Sequence, residues 1–167
     1  YGFLPMLLQQ ASHAIGAPAY VLAAVAVGAS AAGNLAGLAL LARGIPPAAL
    51  LAWSFAGLAA CSLPILLDVT TNAWLRIAAS IAFGAVAGLV SAALFAQAPA
   101  RAPRAGMQGL VIGLMMQGGN AGMTIGTPLA GMTAAAFGWR AVIVVVAVLA
   151  AMAIATVRAP ARRGPAG

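Results

Sequence analysis

The sequence predicts an all-α membrane protein: a bundle of about five complete transmembrane helices plus the end of a sixth. Three observations carry that prediction. Only nine of the 167 residues are charged, eight arginines and Asp68, with no lysine. The stretches between them (1–42, 44–67, 77–100, 105–139 and 141–157) are uncharged and almost entirely apolar. A helix of roughly 20 apolar residues crosses about 30 Å of hydrocarbon, and each stretch holds such a segment or comes close. Hydrophobic residues make up 64% of the chain and charged residues 5%, against about 25% charged in a soluble domain.

In chain order, residues 1–10 read as the end of a helix. The chain starts at Tyr1 inside an apolar run, with no charged leader or small-residue cleavage site, so the expectation is a fragment of a longer protein rather than a signal peptide. A second segment spans about 18–41, opened by Pro18 and Tyr20. A third runs about 47–66, from Pro46-Pro47 to Pro64, and a fourth about 74–97, between Asn72 and Pro99. A fifth lies within 106–136 and a sixth spans about 139–157. Prolines at these edges suit helix starts and stops, because proline lacks an N–H and clashes with the preceding turn. Residues 1–157 thus form one helical bundle. The tail 158–167, rich in Arg, Pro, Ala and Gly without periodicity, reads as disordered.

Sorting the arginines by connection gives an orientation. Arg43, Arg101, Arg104, Arg158, Arg162 and Arg163 fall on one side of the alternating segments, and Arg76 and Arg140 on the other with Asp68. Six against two places the C-terminus in the cytoplasm, because loops rich in Lys and Arg stay inside. Trp74, Trp139 and Tyr20 then lie at the outer interface, where amphipathic rings prefer to sit. Scattered arginines without interleaved aromatics do not make a nucleic-acid surface.

The segments differ in kind. Those at 47–66 and 141–157 have one glycine and none, and read as peripheral, lipid-facing helices. The segment 106–136 is rich in glycine. Gln117, Asn120, Thr124 and Thr127 share one of its faces by helical spacing. Gly118, Gly122 and Gly126 form a neighbouring ridge where another helix can approach, with Gly131 beyond it. Pro128 should bend the segment or leave a carbonyl unpaired. Weaker versions occur elsewhere: Gly33 and Gly37 beside Ser30 and Asn34, and Ser80, Gly84 and Gly88 followed by Ser91. The serines read as packing residues. An amide at membrane depth demands a partner, either another helix or a water-filled cavity, and for Gln117 and Asn120 the cavity is favoured.

Several tempting residues carry little. His13 and Asp68 fall in short outer connections. Cys61 is the single cysteine, with no disulfide or metal partner. No paired carboxylates, nucleophile triad or phosphate loop can be assembled, so an enzyme, a metal site and a cofactor are not expected.

Three local stretches resemble the C-terminal half of a major facilitator superfamily transporter. Gly33-Asn34-Leu35-Ala36-Gly37-Leu38-Ala39-Leu40-Leu41-Ala42-Arg43-Gly44 is similar to the second copy of the family's loop motif, with Gly37 where an acidic residue is usual. Gly126-Thr127-Pro128-Leu129-Ala130-Gly131 resembles the Gly-Pro segment of helix eleven, and Phe137-Gly138-Trp139-Arg140 the turn into helix twelve. The resemblance implies the end of helix seven followed by helices eight to twelve, with six N-terminal helices missing. It implies transport of a small solute across the cytoplasmic membrane by alternating access. Gln117, Asn120 and Thr124 become the leading cavity residues, with Thr127, Asn34, Gln9 and Gln10 behind them, and Gly126 and Pro128 serve bending. The expected partners are the solute, the missing half and the lipid bilayer. Two alternatives remain open: a drug/metabolite-type transporter, and a non-transporting membrane subunit whose polar stripe binds a partner helix.

Overall fold

The computed structural model describes residues 16, 18–66, 73–104 and 106–158, and among these the only regular structure is helical. Six helices follow in order: α1 Ala19–Ala42, α2 Pro47–Leu66, α3 Ala73–Phe95, α4 Ala98–Arg101, α5 Gln108–Phe137 and α6 Trp139–Arg158. Four of them (α1, α2, α3 and α6) are long and apolar enough to cross a membrane, which is consistent with a multi-pass membrane protein. The fourth expected segment stops at Phe95, and the short α4 follows as a separate turn. Segment 1–10, residues 67–72 with Asp68, and residues 159–167 lie outside the described residues, while Arg158, expected in the tail, is the last residue of α6.

The end of α1 shows how local chemistry places the turns. Gly44 has φ +88°, a left-handed conformation that costs glycine nothing. Its N–H donates to the Leu41 carbonyl (3.0 Å) and the Ile45 N–H to the Leu40 carbonyl (3.2 Å), the paired bonds of a Schellman cap. Pro46 then blocks continuation, and Pro47 opens α2 at a position where no N–H is required.

The central contact is between α1 and α3. Gly84 sits against Ala26, Gly88 against Ser30 and Asn34, Gly33 against Ala85, and Gly37 against Ala92. Residue numbers rise together along both helices, so the two run parallel. An added Cβ at Gly33, Gly84 or Gly88 would fall on backbone atoms of the opposite helix. Glycine therefore sets the spacing, as in close-packed membrane helices. Ser80 settles its hydroxyl on the Arg76 carbonyl (2.8 Å), and Ser91 on the Ala87 carbonyl (3.4 Å). The weaker glycine patterns of the sequence thus form the tightest contact.

Helix α2 lies antiparallel to α3, with Gly57 opposite Val86 while Leu50 and Leu51 cluster with Ala93 at the other end. The helix read as peripheral buries one face, with Leu50, Leu51, Ala52, Ser54, Ser62 and Ile65, and leaves its other face, with Trp53, exposed. Ser54 is tolerated in that core because its hydroxyl donates to the Leu50 carbonyl (2.7 Å). α6 packs on α2 and is otherwise largely exposed, as expected for a peripheral helix.

One apolar cluster fixes the relative direction of these helices. Leu40 and Leu41 from the end of α1, Leu50 and Leu51 from the start of α2, Ala93 from the end of α3 and Val157 from the end of α6 meet at one pole. α3 therefore ends at the pole where α6 also ends, and α6 begins at the opposite pole. The chain between them, α5, must traverse the height of the bundle. Its 30 residues reach about 45 Å at 1.5 Å per residue.

Candidate functional site

α5 is the exception in this bundle. None of its 30 residues is buried, and it touches α6, α4 and, least, α3. It is not among the four helices apolar enough to cross a membrane by composition alone. The expectation of a fifth apolar span is corrected to that extent: glycines, amides and threonines lower its hydropathy, although the topology carries it across the bundle. Pro128 is accommodated within a continuous helix, but having no N–H it leaves the Thr124 carbonyl without its usual partner four residues on.

Along α5, Gln117, Asn120, Thr124 and Thr127 lie within about 80° of one face at 3.6 residues per turn. Gln117, Asn120 and Thr124 are exposed and Thr127 is half-buried. The Thr124 hydroxyl donates to the Asn120 carbonyl (2.9 Å). The side chains of Gln117, Asn120 and Thr127 make no hydrogen bond among the described residues. Two amides and one hydroxyl are therefore without a partner among the described residues. The ridge of Gly118, Gly122 and Gly126 is open too, since an added Cβ at each would meet nothing within 4 Å. The expected close approach of a helix to that ridge is not found within this chain's described residues. Gly131 is half-buried near the far end of α5.

Beside the stripe runs a cavity of about 670 Å³ between α2, α5 and α6, with Phe83 of α3 also lining it. Phe55 and Leu58 form part of one wall, Leu149 and Ala150 another, and Gly122 and Gly126 belong to the α5 side. No charged residue is among the described residues that line it. Of the four stripe residues, only Thr127 reaches this cavity, and Met123 joins it there. Gln117, Asn120 and Thr124 point roughly a third of a turn away. Ser62, also in the lining, has settled its hydroxyl on the Ala59 carbonyl (2.7 Å). Sequence periodicity missed this cavity, because its walls come from helices read as lipid-facing.

The remaining expected residues are dispersed. Asn34, half-buried on α1, has its backbone nitrogen beside Gly88 and belongs to the α1–α3 contact rather than to the stripe. Gln9, Gln10 and His13 lie outside the described residues. Arg43, Arg101 and Arg104 follow the ends of α1, α3 and α4, and Arg158 closes α6 at the same pole. Arg76 and Arg140 lie in the first turns of α3 and α6, at the opposite pole. Arg101 is held by the Gln97 side-chain oxygen (2.8 Å). Arg162 and Arg163 lie outside the described residues. No group of three His, Cys, Asp or Glu that could hold a metal occurs among the described residues. Comparison with protein-family models, with curated proteins and with solved structures gives no match.

Proposed function

We propose that this chain is the C-terminal half of a major facilitator-type transporter, moving a small solute across the cytoplasmic membrane by alternating access, with α5 lining the solute path. One observation carries the reading. A helix that traverses the height of the bundle keeps two amides, Gln117 and Asn120, on an exposed face with no hydrogen bond among the described residues. At bilayer depth an amide without a partner costs roughly 2–7 kcal/mol, so that face belongs against water or another polar surface. A water-filled cavity shared with a second bundle meets this need, and a transporter's midplane site is such a place. The arginine-bearing pole faces the cytoplasm in this reading.

The mechanism follows from what the residues offer. Amide side chains both donate and accept hydrogen bonds, and so replace part of a neutral solute's hydration as it enters. Neither Gln117 nor Asn120 changes protonation state, so this face contributes no proton carrier. The tightly interlocked α1 and α3 supply the rigid part of the half that rocks, and α5 presents the stripe.

A second reading is favoured by the open Gly118, Gly122 and Gly126 ridge: a partner helix from another polypeptide covers α5, and the chain is a membrane subunit. Water accessibility separates the two. In a Cys61→Ala background, Asn120→Cys in the intact protein should react with a membrane-impermeant maleimide, and solute should slow the labelling. An unreactive thiol at both 117 and 120 would favour the covered helix. For function, Gln117→Leu or Asn120→Leu should abolish uptake or efflux while membrane abundance is unchanged.

A further inference from the structure

The geometry points to the cavity between α2, α5 and α6 as the seat of a neutral amphipathic molecule, its apolar body within the cavity and a single hydrogen-bonding oxygen at Thr127. The inference rests on the transport reading only in making that molecule the solute.

The volume of about 670 Å³ falls within the roughly 300–1,000 Å³ of small-molecule sites, which are mostly apolar with a few placed polar groups. Phe55 and Phe83 supply aromatic walls, and Leu58 and Leu149 aliphatic ones. These surfaces suit a ring or a short alkyl body. An ion brought here would lose its hydration with no counter-charge among the lining residues, and burying an unpaired charge is strongly unfavourable. A neutral ligand avoids that penalty.

Thr127 sets the polar end. The other helix hydroxyls with a located bond, those of Ser54, Ser62, Thr124 and Thr133 among them, donate to carbonyls three or four residues back. Thr127 does not; it lines the cavity, and its hydroxyl makes no hydrogen bond among the described residues. Met123 lies one turn before it in the same lining, and a thioether side chain adapts readily to ligand shape. Asn120 lies on the stripe face, one turn before Met123 and Thr124. A molecule whose oxygen leaves Thr127 therefore meets Thr124 and then the Asn120 side chain along α5, which joins the apolar cavity to the polar stripe.

The test uses the intact protein in nanodiscs and two dyes of similar size. One is neutral with a ketone oxygen, 6-propionyl-2-(dimethylamino)naphthalene; the other is anionic, 8-anilinonaphthalene-1-sulfonate. Energy transfer from tryptophan, corrected with empty nanodiscs, should show saturable binding of the neutral dye and at least tenfold weaker binding of the anion. Ala150→Phe fills the cavity and should weaken the neutral dye at least tenfold. Thr127→Val replaces the hydroxyl with a methyl group of similar size and should weaken it about three- to tenfold, the range of one hydrogen bond. Ala151→Phe, on the exposed side of α6 and outside the lining, should leave binding unchanged. If Ala150→Phe fails to fold, Thr127→Val still decides. Equal binding of both dyes, or unchanged affinity in Thr127→Val, would overturn the assignment. So would a lipid or a second copy of the chain that co-purifies in the cavity and is not displaced by the dye. Loss of dye binding with Asn120→Cys still water-accessible removes this ligand class and leaves transport standing. Binding with an inaccessible Asn120→Cys removes transport and leaves the cavity assignment.

Discussion

A methyl group added at Gly88 would meet the Ser30 carbonyl oxygen and lie 2.6 Å from the Asn34 nitrogen, whereas one added at Gly118 would meet nothing within 4 Å. Backbone cannot rotate out of the way as a side chain can, so Gly88→Ala must separate α1 from α3. Overpacking of this kind costs roughly 1–3 kcal/mol. Gly118→Ala meets no such obstacle and gains up to about 1 kcal/mol in helix propensity. Thermal unfolding of the purified protein in one detergent should therefore show a lower midpoint for Gly88→Ala and an equal or higher one for Gly118→Ala. The reverse order would show that α1 and α3 do not interlock as described. The contrast also shows what residue patterns can reveal. Glycine at four-residue spacing marked both ridges, but spacing says only that close approach is possible. Whether a partner is present depends on tertiary arrangement, and here the ridge with fewer polar neighbours found its partner within the chain.

At the scale of elements, the helix order and most boundaries were legible because charges and prolines act locally. Arg43, Gly44 and Pro46-Pro47 define a turn through a positive φ and missing donors, chemistry confined to a few residues. The candidate site was legible only in part. Helical spacing placed Gln117, Asn120, Thr124 and Thr127 together, yet it could not reveal that Thr127 alone enters the cavity. Nor could it separate Asn34 from the stripe, since that depends on α1 packing against α3. The uneven packing of α5 has a dynamic consequence. Local opening follows the number of buried contacts; α3 has seven buried residues and α5 none. Hydrogen exchange of the purified protein should show faster exchange for the amides of 117–127 than for those of 77–93, by at least tenfold. Equal protection would mean that a partner covers α5 in the intact protein, the outcome the subunit reading requires.

For the whole molecule, the poles and the charges point the same way. The apolar cluster of Leu40, Leu51, Ala93 and Val157 brings together the ends of α1, α3 and α6. The arginines following those ends, Arg43, Arg101 and Arg104, thus share a pole with Arg158, while Arg76 and Arg140 lie at the other. This polarity comes from packing and owes nothing to charge; in the proposed orientation the arginine-rich pole is the one that stays inside. Holding positive loops in the cytoplasm is a property of short connections, and the link between α1 and α2 (43–46) is short. In a Cys61→Ala background, Ala102→Cys should react with an impermeant maleimide only after cells are opened, and Thr70→Cys on intact cells. Labelling of both on intact cells would contradict opposite poles, whatever the orientation. Exchange of the two patterns would keep the fold and invert its orientation. A double change, Arg101→Glu with Arg104→Glu, then probes the cause: if those charges set the topology, a detectable fraction of Ala102→Cys should become reachable from outside. If none does, orientation is set elsewhere in the intact protein, and these two arginines merely follow it.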